Sequence, residues 1–311
     1  MIVITGGSGY VGSHVVHRLA GAGQPVRALV RSRVRAEAEG RLEGLPVEWV
    51  EADVTRLESL APALERASAV MHTVAIAIEK GGRTYEEVNF QGTVNLVDAC
   101  KAAGVRRFVN LSQLGADAQL PYRFLASKGK AQEYVAASGL DWTAFYPSVI
   151  WGPEDEFANT FARLVPLSPL IYPIVDKKAR FQPVWVEDVV TALVKSLDDR
   201  ATIGQGYELG GPEVLTLEEI ERRTLAAIGR RRLLIPFSRP LLTLVVALME
   251  ALLPAPPVTR SLLELLAVDN VPQHNAIHRF VAEPRPFSSE NIAPYMRQFR
   301  VRQTLARFIK K

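Results

Sequence analysis

The sequence predicts an α/β fold, a doubly wound parallel sheet with a smaller, mainly helical C-terminal lobe. Three observations predict it. Short apolar runs alternate with helical stretches from Ile2 to Pro147. A glycine-rich turn, Thr5-Gly6-Gly7-Ser8-Gly9-Tyr10-Val11-Gly12, joins the first strand to the first helix. After Gly152, Pro153, Pro166, Pro169, Pro173 and Pro183 break the alternation, and from Thr216 onward the chain reads as mainly helical.

The elements follow in order. Ile2-Val3-Ile4 is a strand, Val15 to Ala20 is an amphipathic helix ending at Gly21 and Gly23, and Val26 to Val30 is a second strand. Together they form one βαβ unit of the Rossmann type. In such a unit Gly6 permits the tight turn, Gly9 lets the backbone approach a pyrophosphate, and Gly12 lets the helix pack closely on the sheet. Ser8, Tyr10 and Val11 complete the loop. The helix start offers unpaired N–H groups and a positive dipole end to phosphates. The implied chemistry is dinucleotide binding. An NAD site carries Asp or Glu at the end of the second strand; here stand Arg31, Ser32 and Arg33. Arginine there pairs with a 2′-phosphate, so the expected cofactor is NADP(H), with NAD as the alternative.

Val47 to Val50 is a third strand, followed by Asp53 and Val54, which are expected at the adenine end; a helix cap is the other use for Asp53. Leu57 to Ala67 reads as helical. Ala69 to Ala75 is a fourth strand whose end, Thr73-Val74-Ala75, faces the middle of the cofactor. Tyr85 to Ala103 is a long helix carrying Asn89, which either belongs to the site or bridges backbone. Arg107 to Leu111 is a fifth strand ending at Ser112, Ser127 to Ser138 is a helix, and Trp142 to Tyr146 is a sixth strand ending at Pro147. Val186 to Leu197 returns to a helix, and Gly206 to Leu209 supplies a last strand. Residues 1–150 then form the nucleotide-binding domain, with 181–210 returning to it. Residues 151–180 and 211–311 form a substrate or partner lobe.

Composition excludes several classes. The chain has 311 residues, 48% apolar and 23% charged, which is ordinary for a globular protein and unlike a disordered or fibrous one. A balance of 37 basic to 33 acidic residues gives +4, scattered along the chain, which points to no nucleic-acid partner. The single cysteine, Cys100, excludes an internal disulfide and a thiolate metal cluster. Met1 runs straight into Ile2-Val3-Ile4, which does not read as a secretory signal, so the expectation is cytoplasmic.

The glycine turn resembles the opening of extended and atypical short-chain dehydrogenases/reductases. Three further segments resemble the same superfamily: Val88 to Asn95, Pro147 to Asp155, and Phe181 to Val189. With Asn110-Leu111-Ser112 they are most similar to the group around the nucleotide-binding accessory subunit of respiratory complex I. The likeness covers about residues 1–200. It implies a bound NADPH, with weak or absent turnover in many atypical members. It also implies a catalytic trio: a tyrosine that moves a proton, a lysine one helical turn later that holds the nicotinamide ribose, and a serine from the preceding strand. Ser112 matches the serine and Lys128 the lysine, with Leu111 beside them. Four residues before Lys128, however, stands Phe124, which has no proton to transfer. Tyr122 is six residues before the lysine, about 240° around a continuous helix, and serves only if the helix begins after it, as Pro121 permits. Tyr146, Pro147 and Val149 line the nicotinamide pocket or are plain core.

Two other features complete the reading. His274 and His278 are four apart but have no third ligand nearby, so no metal is expected. Pro240 to Pro254 is apolar nearly all round and follows Arg230-Arg231-Arg232. It is too short to span a bilayer at ~1.5 Å per residue. It either lies on an anionic membrane surface, making 230–253 a peripheral contact, or roofs a pocket. Both uses point to an apolar ligand of the quinone or lipid kind.

Overall fold

The structure, a computed structural model, describes residues 1–165, 170–174, 176–252, 263 and 269–296. Pro166, Pro169, the end of the apolar run at Leu253 and Pro254, and residues 297–311 lie outside the described residues. The chain forms two compact units.

The first unit comprises Met1–Pro147, Val186–Leu209 and His274–Ala282. Its strands are β1 (Ile2–Thr5), β2 (Val26–Val30), β3 (Glu48–Glu51), β4 (Ala69–His72), β5 (Arg107–Leu111), β6 (Asp141–Pro147) and, after elements of the second unit, β11 (Gln205–Leu209). They form one parallel seven-stranded sheet in the order β11-β6-β5-β4-β1-β2-β3. Its helices are α1 (Tyr10–Gly21), α2 (Arg33–Glu39), α3 (Leu60–Ala63), α4 (Gly92–Ala102), α5 (Arg123–Ala137), α7 (Val186–Asp198) and α10 (Ile277–Phe280). Helix α1 packs on α7, while α3, α4 and α5 form the other layer. Between that layer and the sheet sit Val3, Leu29, Val70, Phe108, Leu96 and Cys100, all buried. Strand alternation sends Ile4, Ala28, Met71 and Val109, equally buried, to the opposite face. Register opposes Thr5 to Leu29 on one side and to His72 on the other, so the loops leaving β1, β2 and β4 open at one edge of the sheet.

Three boundaries differ from the sequence reading. The helix expected over 57–67 is a 3₁₀ turn at Leu57–Ser59 followed by the short α3. It stops because the buried Arg27 takes the carbonyls of Ala63 and Glu65, each at 2.8 Å, and Arg66 turns left-handed at φ 59. Helix α5 begins at Arg123, four residues early, with Tyr122 as its extended N-cap. The long helix after β4 opens as a π-helix over Glu86–Gln91 and narrows into α4 only at Gly92.

The second unit comprises Ser148–Trp185, Gly210–Gln273 and Glu283–Lys311. Its described helices are α6 (Ala158–Leu164), α8 (Leu217–Ile228), α9 (Arg239–Leu252) and α11 (Ser289–Met296). Thr216 and Glu219 form a capping box at the start of α8, and Gly229 ends it left-handed. Trp151, Phe161, Phe181, Ile220, Phe287 and Met296 fill the core. Three two-stranded ribbons edge it: β7 (Ile150–Trp151) with β10 (Val184–Trp185), β9 (Arg180–Phe181) with β12 (Leu215–Thr216), and β8 (Ile171–Ile174) with β13 (Leu233–Pro236). Strand β13 corrects the reading of everything beyond Thr216 as helical. Its apolar run gains a ladder from β8, 62 residues earlier, which no local periodicity announces.

Candidate nucleotide-binding site

The edge where β1, β2 and β4 end holds a cleft of about 640 Å³. Its floor is the glycine turn. Gly6 has φ +70, a conformation that glycine adopts at no steric cost, and its carbonyl accepts the N–H of Gly9 at 2.8 Å. A Cβ on Gly12 would lie 2.1 Å from the Gly6 carbonyl oxygen. Gly12 therefore serves the closure of the loop on itself. Helix α1 starts with no side-chain cap and no acid in its first turn, so its free N–H groups face the cleft unopposed. Arg41 pins the loop by donating to the Ser8 carbonyl at 3.0 Å.

At the far end the lining is cationic. Arg31, Arg35, Arg41 and Arg83 line the cleft with only Asp53 and Glu39 to offset them. Arg31 is exposed; partial burial, then Arg83 and Arg35, push its pKa below the usual guanidinium value, so these cations crowd one another. Arg83 forks onto Asp53 at 3.0 and 3.1 Å, and Thr55 donates to the same carboxylate from its N–H at 3.0 Å and its hydroxyl at 2.9 Å. Burial raises the Asp53 pKa, but these bonds outweigh it and hold the carboxyl at about 2. Asp53 thus both caps a turn and borders the cleft. This donor set suits an anionic ligand.

Where β5 ends, Lys128 is buried on α5 and donates to the Leu111 carbonyl at 2.9 Å. Burial lowers its pKa to about 8. Ser112 follows Leu111; its N–H is held by the Phe145 carbonyl at 2.8 Å, while its hydroxyl is buried with no hydrogen-bond partner. Phe124 is buried, its ring edge-on to Tyr85 at 5.6 Å. Behind the cleft, the Thr5 hydroxyl donates to His72 Nδ1 at 2.7 Å. His72 Nε2 donates to Thr93 at 3.0 Å, whose own hydrogen goes to the Asn89 carbonyl at 2.7 Å. Burial, then the Lys128 charge, holds the His72 pKa at about 3, so the ring is neutral and this chain of donors fixes its tautomer. The Asn89 amide clips both backbone groups of Ile76, accepting at 2.8 Å and donating at 3.2 Å, and so fixes the exit of β4 along the cleft.

Residues 6–162 match the NAD(P)H-binding family. This chain belongs to that family. Its relatives place it among the atypical short-chain dehydrogenases/reductases. It is 29% identical over 70% of its length to subunit 9 of the alpha subcomplex of mitochondrial NADH dehydrogenase (ubiquinone) from Arabidopsis thaliana, of which it covers only 55%. It is also 29% identical, over 74% of its length and 70% of the relative, to a 3β-hydroxysteroid dehydrogenase/Δ5→4-isomerase of Mycobacterium tuberculosis. The chain spans little more than half the length of the first of these relatives. Its fold matches an NADPH-dependent quinone oxidoreductase of Escherichia coli solved with NADPH, at TM-score 0.72 and 19% identity over 95% of this chain and 98% of that one.

As a member of the NAD(P)H-binding family, the chain brings most of the residues read from its sequence to one cleft. Gly6, Ser8, Gly9, Tyr10, Val11, Gly12, Arg31, Asp53, Val54, Thr73, Val74 and Ala75 all line it. Arg33 does not: it sits on the first turn of α2, its side chain on Glu37 at 2.7 Å and its N–H on Glu51. Asn89 is buried behind the rim. Tyr146 lines a second cleft of about 730 Å³ with Trp142, Gly206 and Glu208. Burial, then Glu208, pushes its phenol up to about 12. The Pro147 carbonyl takes the N–H of Leu114, and Val149 belongs to the second unit, its N–H on Asn270 at 2.9 Å. Among the described residues no cluster could hold a metal; the His274 N–H donates to Glu208. Sequence reasoning missed Arg35, Arg41 and Arg83. Ser32, which accepts the Arg35 N–H, is a helix-start signal that would have placed Arg35 in the first turn, facing back. Gly81-Gly82, both left-handed, mark the turn that delivers Arg83.

Proposed function

We propose that the first unit holds NADP(H) rather than NAD(H), and that the protein is an atypical reductase-like member of its family acting on, or sensing, an apolar quinone- or lipid-like partner. The observation that carries this is an arginine-lined nucleotide cleft in the same unit as a buried Lys128 whose helix offers Phe124 where a phenol would stand. Arg31 recognises the 2′-phosphate, with Arg35, Arg41 and Arg83 adding charge. Lys128 holds the nicotinamide ribose. The bound NADPH supplies hydride. Ser112 offers a buried hydroxyl to a substrate oxygen, and Tyr122, at the helix start, or an ordered water delivers the proton. The apolar partner is supported by the curated relatives, which are named for ubiquinone and a hydroxysteroid. Peripheral membrane contact through 230–253 belongs to the same reading; no helix of the described residues is long and apolar enough to cross a bilayer.

A second reading is a non-catalytic NADPH-binding assembly or redox-sensing module of a respiratory complex. It is favoured by Phe124, which is core against Tyr85 and offers no proton. One experiment separates the two. The protein is loaded with NADPH deuterated at the transferable position and incubated with a lipid and quinone extract. Protein-dependent deuterium in a product, read by mass spectrometry, establishes the reductase. Bound NADPH with no label in any product favours the module. Failure to bind NADPH overturns both.

A further inference from the structure

We infer that the β8–β13 edge of the second unit, with helix α9, is a docking surface for an anionic lipid bilayer. The inference takes its class of partner from the peripheral reading above but does not depend on nucleotide binding. The parallel ladder sets Leu233 opposite Ile171, and the Leu233 N–H donates to the Leu170 carbonyl at 3.1 Å. Pairing thus gathers three large apolar side chains on one edge, and they remain 78% (Leu170), 46% (Ile171) and 65% (Leu233) exposed. Grouped exposed apolar residues mark an interaction surface rather than a random surface. Directly before Leu233 stand Arg230, Arg231 and Arg232. Arg230 and Arg231 are exposed and make no ion pair with any described residue.

Beyond β13, α9 continues the pattern. Leu244, Leu248 and Leu252 recur every four residues and are 68%, 58% and 70% exposed, which puts one apolar stripe along the helix. Its one carboxylate, Glu250, is half-buried and engaged. Cations beside an uncompensated apolar stripe, on a helix too short to span, are the composition of an element that lies in the headgroup layer of an anionic membrane.

The test is flotation of the full chain with phosphatidylglycerol-containing vesicles and with pure phosphatidylcholine vesicles, NADPH binding being measured on the same samples. Binding to the anionic vesicles alone is expected. Joint Arg230→Ala, Arg231→Ala and Arg232→Ala should weaken it about 100-fold. Leu170→Ser with Leu233→Ser should weaken it about tenfold. Circular dichroism and a thermal unfolding curve that match the parent show that each variant is folded, and unchanged NADPH binding shows that the first unit is undisturbed. Parent protein that ignores the anionic vesicles, or binding that either set of variants leaves intact, overturns the inference. Capture of an acidic polypeptide without vesicle binding overturns it in favour of a protein partner.

Discussion

At the glycine-turn end of the first unit backbone and side chains alike suit an anion: a left-handed Gly6, an uncapped helix start, and four arginines at the rim. At the α5 end the groups are incomplete. Lys128 is placed and buried, Ser112 keeps an unused hydroxyl, and position 124 carries an apolar ring. The two ends rest on the same sheet, yet they answer to different demands. Holding a nucleotide needs aligned N–H groups and charge, which the loops supply whatever reaction follows. Moving a proton needs one acid of suitable pKa at one position, and a single side chain removes it. On the proposed reading binding and chemistry are therefore separable in this chain, and substitutions can sharpen or break the contrast.

The largest effect is expected from Gly12→Val. Its Cβ meets the Gly6 carbonyl oxygen, forcing the turn open, and overpacking of about 3 kcal/mol should weaken NADPH about 100-fold or more by calorimetry. Unaltered affinity would show that the turn does not hold the phosphates. Next is Lys128→Met, which removes a charged donor and should weaken NADPH by about 10- to 100-fold.

Lys128 also sets a pH dependence. Burial brings its pKa from 10.5 to about 8, so its charge is present below that pH and lost as pH rises through it. NADPH affinity of the parent should therefore fall above about pH 8, and the Met variant should lose that step. The sign for folding is opposite. Between about 8 and 10.5 the unfolded chain binds more protons, so the nucleotide-free fold gains stability as pH rises through that window.

Smaller again is Arg31→Ala, expected to weaken NADPH about tenfold while leaving NADH within about threefold. Equal losses would show that Arg31 does not touch the 2′-phosphate. The smallest is Arg33→Ala. That side chain spends itself on an exposed pair with Glu37, worth about 0.3–0.5 kcal/mol, so NADPH affinity should not move measurably.

The same contrast separates what the sequence shows from what it hides. The places of the Thr5 to Gly12 turn, Arg31 and Asp53 on the cleft are legible because each is local: a residue beside a strand end, in a unit with one known geometry. The sheet is legible for the same reason, since Val26 to Val30 and Arg107 to Leu111 are strands in the structure as in the reading. Arg41 and Arg83 reach the cleft from loops whose path is decided by tertiary contacts, through Ser8 and Asp53. Tyr146 was a strand-end residue with two uses; its neighbours Trp142, Gly206 and Glu208 come from packing, which periodicity does not encode. Likewise α3 ends where Arg27, more than 30 residues away, claims its carbonyls.

The wide coil at Glu86–Gln91 makes the cleft depend on chain length as well as on side-chain identity. A π-helix holds one more residue than the same rise of α-helix. Deleting Phe90 or Gln91 would let the coil tighten and turn Asn89 relative to α4, away from Ile76. Exchange of the outward Glu86 or Glu87 for alanine leaves the count intact. The segment should thus tolerate spelling changes and reject a missing letter, and the rim of the nucleotide cleft is where the loss would be felt.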